Sequence, residues 1–253
     1  MAFAPASEVA ITIQFYTPSL ALNAIELADL YSQFSATFTE YDEVAPAGPM
    51  VFSVAQVEGS EPLAPQPSPF RARLRAPETY RSIMIQSDRM TYSWLRSSQL
   101  DEPDNYPGFD VLLDEFRSHW QTLSDWVQSR SGLSIEPRVG EIVYVNGFLF
   151  KNEQDEAIRL SSVYSFLDPL YPPRLTGSFQ YSWIEPLLDN NGLLNVTVAG
   201  PAVAVTGIPV SVLTLSGTFL ISESASVWTD LLTVRQRINE TFSVVVRQES
   251  ITS

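Results

Sequence analysis

Three arginines at alternate positions, Arg71, Arg73 and Arg75 in the run Phe70-Arg-Ala-Arg-Leu-Arg-Ala76, form the densest positive charge in a chain of formal charge −14. In extended backbone, alternate side chains share a face. The three guanidiniums would then stand in a row, with Arg81 close behind. Guanidinium forks suit carboxylate and phosphate, so this row is the first candidate for docking an acidic partner or a small anionic ligand. The plainer reading is an edge strand whose charges keep it from pairing with other chains. Glu141 is the second candidate. It lies in the apolar run Val139–Val145, on the face of Val139, Val143 and Val145. A carboxylate buried there would carry a raised pKa or an arginine partner; a structural ion pair or an exposed face are the alternatives.

Other residue types offer less. The chain has no cysteine and one histidine, His119, which excludes thiolate zinc sites, iron–sulfur clusters and cysteine nucleophiles. His119 would need an oriented partner to act as a base, and no Gly-x-Ser-x-Gly elbow is present, so it reads as a half-buried or surface residue. The acidic clusters Glu40–Glu43, Asp101–Asp104 and Glu153–Glu156 lack the spaced oxygens and turn glycine of a calcium loop and read as solvated loops. No glycine-rich phosphate loop occurs. The expectation is therefore no metal and no cofactor. Tyr92, Trp94, Trp120, Trp126 and Trp183 could line an aromatic pocket but stand at core spacing. Asn146, before Gly147, reads as a turn residue.

The elements that must hold these residues are clearer than the chemistry. Ile83 and Ile85, then Met90, Tyr92 and Trp94, alternate with polar residues around Ser87-Asp88, which predicts a hairpin with one buried and one wet face. Phe109, Leu112, Leu113, Phe116, Trp120, Leu123 and Val127 predict a helix from about Tyr106 to Ser131. A strand at Glu8–Tyr16 and a helix at Leu20–Phe38, with Ser19 as N-cap, precede them, and a strand over Pro137–Phe150 follows. Between lies Tyr41–Ala76, rich in proline and read as an irregular excursion, with a short strand at Met50–Val54. This order predicts a ferredoxin-like β-α-β-β-α-β first half over residues 1–166. The second half, 167–253, predicts β-β-β-α, with strands near Leu175–Trp183, Leu193–Val198 and Val210–Ile221 and a helix from Ser224, its N-cap, to Val246. The expected class is α+β with antiparallel sheets, the halves packed as one unit.

At 253 residues with 45% hydrophobic and 17% charged content, the chain can bury a full core. Its acidity disfavours nucleic acid and anionic membrane surfaces as partners. Asn190–Ser222 is uncharged but punctuated by Pro and Gly, and reads as buried strands rather than a membrane span. The first residues lack the basic and apolar regions of a signal peptide, so the expected location is the cytoplasm.

Four passages carry a family resemblance: Val9-Ala-Ile-Thr-Ile-Gln-Phe15; Asp88-Arg-Met-Thr-Tyr-Ser-Trp94 with Tyr106-Pro-Gly-Phe109 and the long helix; Ile142-Val-Tyr-Val-Asn-Gly147; and Arg237-Ile-Asn-Glu-Thr-Phe242 before Ile251-Thr252. On these the chain resembles a sporadically distributed, functionally uncharacterised family of prokaryotic proteins of similar length. That family usually has a histidine before its closing helix passage, where this chain has Val234-Arg-Gln. The resemblance implies no activity; its patchy distribution is like that of defence or toxin–antitoxin genes. The leading expectation is a non-catalytic interaction protein whose partner is a protein or a small anionic ligand. A metal-independent enzyme acting on a small anionic substrate, and a structural subunit of an assembly, are the alternatives. Homo-oligomerisation stays open.

Overall fold

The computed structural model describes residues 6–16, 24–48, 71–96, 106–149, 160–167, 178–188, 191–203 and 209–247. Nine strands form: β1 (Glu8–Tyr16), β2 (Glu40–Val44), β3 (Arg71–Ala76), β4 (Arg81–Gln86), β5 (Arg89–Leu95), β6 (Glu136–Leu149), β7 (Phe179–Leu187), β8 (Gly192–Val203) and β9 (Pro209–Leu220). They hydrogen-bond into one sheet in the order β2-β3-β4-β5-β1-β6-β9-β8-β7, each pair antiparallel. Four α-helices accompany it among the described residues: α1 (Ala24–Phe34), α2 (Phe109–Ser131), the single turn α3 (Leu160–Val163) and α4 (Val227–Val245).

Alternation decides which face each strand buries. Val9, Ile11, Ile13 and Phe15 of β1, Ile83 and Ile85 of β4, and Met90, Tyr92 and Trp94 of β5 all turn towards the helices and are buried. The long helix α2 lays Phe116, Trp120 and Leu123 against them: Trp120 meets Phe15 edge-on with ring centroids 5.6 Å apart, and Phe116 stacks on Tyr92 at 6.3 Å. It stops where Gly132 takes a left-handed conformation (φ 69°) and its N–H reaches the Gln128 carbonyl, a conformation that costs glycine little. Helix α4 covers β6 and β9, with Val234 and Ile238 over Gly217.

The α+β class and the antiparallel sheet stand as expected. Several details differ. The stretch read as irregular contains β2 and β3, so the first half runs β-α-β-β-β-β-α-β; Met50–Val54 lies outside the described residues. The strand β6 continues through Asn146, which is buried within it rather than turning the chain. The strand expected near Leu193–Val198 runs on to Val203, interrupted by a bulge between Ala199 and Ala202. Helix α1 begins at Ala24, and Ser19 is outside the described residues. At α4 the N-cap is Ser226, not Ser224, and its hydroxyl goes to Asp230 rather than to backbone N–H.

Candidate functional site

The arginines of β3 do share one face, the sheet face turned away from the helices. The strand is not an edge, because β2 pairs along it with Glu40 opposite Arg75, Asp42 opposite Arg73 and Val44 opposite Arg71. The cluster Glu40–Glu43 is thus a strand, not a solvated loop, and two of its acids neutralise two of the arginines. Arg73 donates Nε to Asp42 at 2.8 Å and Nη2 to the other oxygen, while Arg75 reaches Glu40 at 2.9 Å. The bidentate arginine holds the Asp42 carboxyl below its usual pKa. These pairs are about half exposed and add little to stability.

Arg71 is different. Valine stands where an acid would continue the ladder. Its Nε is buried and makes no hydrogen bond. Burial first, and then the positive charges of Arg89 and Arg73, pull its guanidinium below the usual arginine pKa. The β3–β4 register, with Ala72 opposite Ile85, places Arg71 level with Gln86, next to Arg89 on β5 and Gln14 on β1.

That row leads to a polar network which the alternation pattern did not reveal. Asp88, in the two-residue turn between β4 and β5, accepts from Gln14 Nε2 at 3.2 Å, from Gln86 Nε2 at 3.0 Å, and from Arg89 Nε and Nη2 at 3.1 and 3.0 Å. Asp88 is 5% exposed and Arg89 4%. Gln86 also joins the backbone of Ala47, accepting its N–H at 2.8 Å and donating to its carbonyl at 3.3 Å. Further along, Thr12 and Thr91 share a hydrogen bond at 3.0 Å, and both are buried. The face read as wet is therefore buried through β5 and β1. Four donors on one carboxylate satisfy the ion pair as a buried charge requires. The legible signal was Ser87-Asp88-Arg89 flanked by Gln86; spacing alone could not bring Gln14 to it.

The remaining candidates fall apart spatially. Arg81 faces the helices, opposite to Arg71, and its Nε donates to Glu115 of α2 at 3.0 Å. The cause is local. A 3-10 turn at Pro77–Thr79 and a left-handed Tyr80 (φ 58°) shift the side-chain parity between β3 and β4. Glu141 is on the same face as Arg71, yet four strand spacings separate β6 from β3 in the sheet order, roughly 19 Å at about 4.8 Å each. Its partners are hydroxyls, not an arginine: Ser216 donates at 3.0 Å and Thr218 at 3.4 Å. Among the described residues, Glu141 and the arginine row do not come together.

His119 is half-buried among aromatic rings, with Phe34, Phe38 and Tyr92 at centroid distances of 5.9, 5.3 and 5.2 Å. Burial lowers its pKa, against a weaker upward pull from Glu115. Tyr92, Trp94, Trp120 and Trp126 are core residues, and Trp183 is half-buried against Phe166 at 5.5 Å. Among the described residues no three His, Asp or Glu side chains gather as metal ligands, and no helix is long and apolar enough to cross a membrane. Asp101–Asp104 and Glu153–Glu156 lie outside the described residues. No protein-family model matches this chain, and no curated protein matches it either.

Proposed function

We propose that this protein is a non-catalytic binding protein that receives the acidic group of a partner protein or small anionic ligand at Arg71. One observation carries the reading: of the three arginines on β3, Arg71 is the one facing valine instead of an acid, with its Nε buried and unbonded. A buried donor without an acceptor is costly, and a carboxylate or phosphate oxygen removes that cost. Arg89 adds positive charge nearby, while Asp88 keeps that second guanidinium from being a free ligand. Separation of Glu141 from the arginines disfavours the alternative of an enzyme that uses both. The same reading keeps the cytoplasmic location, the exclusion of nucleic acid on charge, and the likeness to the sporadic prokaryotic family. It also keeps the ferredoxin-like description of the first half, which the neighbour order β6-β1-β5-β4 supports, with β2 and β3 as an added hairpin.

Titration of the full chain with inorganic phosphate and with acetate tests this, read by calorimetry. Arg71→Gln should weaken binding by about tenfold or more, the worth of a charge-assisted hydrogen bond, and Arg75→Gln should leave it unchanged. Equal affinity in the wild type and Arg71→Gln would refute the reading.

A further inference from the structure

The two ends of the sheet are built differently. At one end β2 carries Glu40, Asp42 and Glu43 within five residues, and charge on an outer strand keeps other chains from pairing with it. At the other end stands β7, nine residues that pair with β8 from Phe179 to Leu187 without a bulge. It has no lysine or arginine, and its one acid is answered. Glu185 accepts from Arg237 Nη2 at 2.8 Å and from Trp183 Nε1 at 3.0 Å. Gln180, Ser182 and Ile184 are exposed along the strand, Ile184 at 56%.

The direction of the β7 backbone follows from its neighbours. Leu220 donates its N–H to the Asn191 carbonyl at 2.9 Å, so the β8 residues in step with Asn191 turn their backbone groups towards β9. Asn195 and Thr197 are in that step, and they stand opposite Ile184 and Ser182. In an antiparallel ladder, successive residues turn their N–H and C=O to opposite sides. Gln180, Ser182 and Ile184 therefore aim both groups away from β8, past the end of the sheet. Pro186 shares that parity, so its missing N–H takes nothing from the β7–β8 ladder. Among the described residues no strand takes up these groups.

We propose that β7 pairs antiparallel with β7 of a second copy of this chain, about a two-fold axis at Ser182, so that one sheet runs through both molecules. The occupant follows from charge and symmetry. Copies of net charge −14 repel each other, and β7, whose one acid is held by Arg237, is the end of the sheet that two such copies can bring together. An antiparallel strand is its own complement about a two-fold, and the contact closes after two copies. The axis at Ser182 sets Gln180 opposite Ile184 of the other copy and leaves Pro186 beyond the ladder. On the helix side Tyr181 then meets Trp183 of the other copy. Phe166, 43% exposed, packs on both of these rings within one chain, at 6.0 and 5.5 Å, so pairing extends this aromatic layer across the joint.

Light scattering on the full chain after size-exclusion chromatography tests this. The wild type should have twice the mass of one chain. Ile184→Lys, which puts a charge on the outer strand, should have the mass of one. Ser182→Pro, which deletes an outward N–H and spares the β8 ladder, should do the same; circular dichroism shows that each variant is folded. Ser182→Cys introduces the only thiol in a cysteine-free chain. On the axis its Cα would stand about 5.5 Å from its counterpart, within disulfide range, so mild oxidation should link two chains. Thr197→Cys, one strand further in, should not be linked. Arg71→Gln should leave the dimer intact, which separates this surface from the anion site. A wild type with the mass of one chain at every concentration up to the millimolar range would overturn the proposal, and so would a dimer that persists in both Ile184→Lys and Ser182→Pro.

Discussion

The helix-free face of the sheet has two regions built on the same alternation but with opposite fates. Across β3, β4, β5 and β1 its side chains are Arg71, Gln86, Arg89, Gln14, Thr91 and Thr12, and from β4 onward this region is buried and hydrogen-bonded to itself. Across β9, β8 and β7 its side chains are Thr214, Ser216, Thr197, Asn195, Ser182 and Gln180, which are half or fully exposed, with only small links such as Ser182 to Thr197 at 3.0 Å. Polar residues at every second position announce a second face without saying whether water or protein will meet it. The difference is charge. A buried face must place acceptors opposite donors, and the first region holds an aspartate ringed by four donors, while the second region, open to solvent, needs no such set.

The largest expected effect tests that contrast. Asp88→Ala leaves Arg89 buried and unpaired, and should destabilise by about 3–5 kcal/mol in urea unfolding. Thr197→Ala, in the exposed region, should stay within about 0.5 kcal/mol. Similar costs at the two sites would erase the distinction. The strand between the regions gives a smaller effect, on its other, helix-covered face, where Gly140 stands beside Ile13. Gly140 on β6 has no room for a side chain, because a Cβ there would overlap the Phe219 ring of β9. Gly140→Ala should cost about 1–3 kcal/mol by overpacking. Gly147, on the same strand, has open space around its missing Cβ, and Gly147→Ala should melt close to the wild type.

Smaller still is a pH effect behind the buried region. Burial holds the His119 pKa low in the folded chain, so between that lowered value and the unfolded value of about 6.5 the unfolded chain binds the extra proton. Stability from this group therefore rises with pH through that window and is lost below it. Comparing unfolding midpoints of the wild type and His119→Gln from pH about 7.5 to about 5.5 should show the wild type losing ground as pH falls. A constant difference would mean that His119 contributes no such linkage.

The hairpin, α2, β6, the three strands of the second half and α4 were legible because apolar periodicity alone specifies them. β2 and β3 were not. Glu-Tyr-Asp-Glu-Val and Arg-Ala-Arg-Leu-Arg-Ala read singly as charged loop and guarded edge, and are strands here by backbone pairing with each other and with β4. The row Arg71, Arg73 and Arg75 was read correctly as one face. Arg81 was misplaced, because the left-handed Tyr80 that turns it over has no strong signature in a tyrosine. The Asp88 network needed Gln14, 74 residues away, and local spacing carries no such information.

Valine stands where an acid would complete the arginine ladder, and Val44→Glu tests the role of Arg71 most directly, with Val44→Gln as control. The new carboxylate should pair with Arg71 as Asp42 and Glu40 pair with Arg73 and Arg75. Calorimetric titration with inorganic phosphate should then show binding in the wild type and in Val44→Gln, and none in Val44→Glu. Undiminished phosphate affinity in a folded Val44→Glu would contradict the assignment of Arg71 as the anion-binding residue.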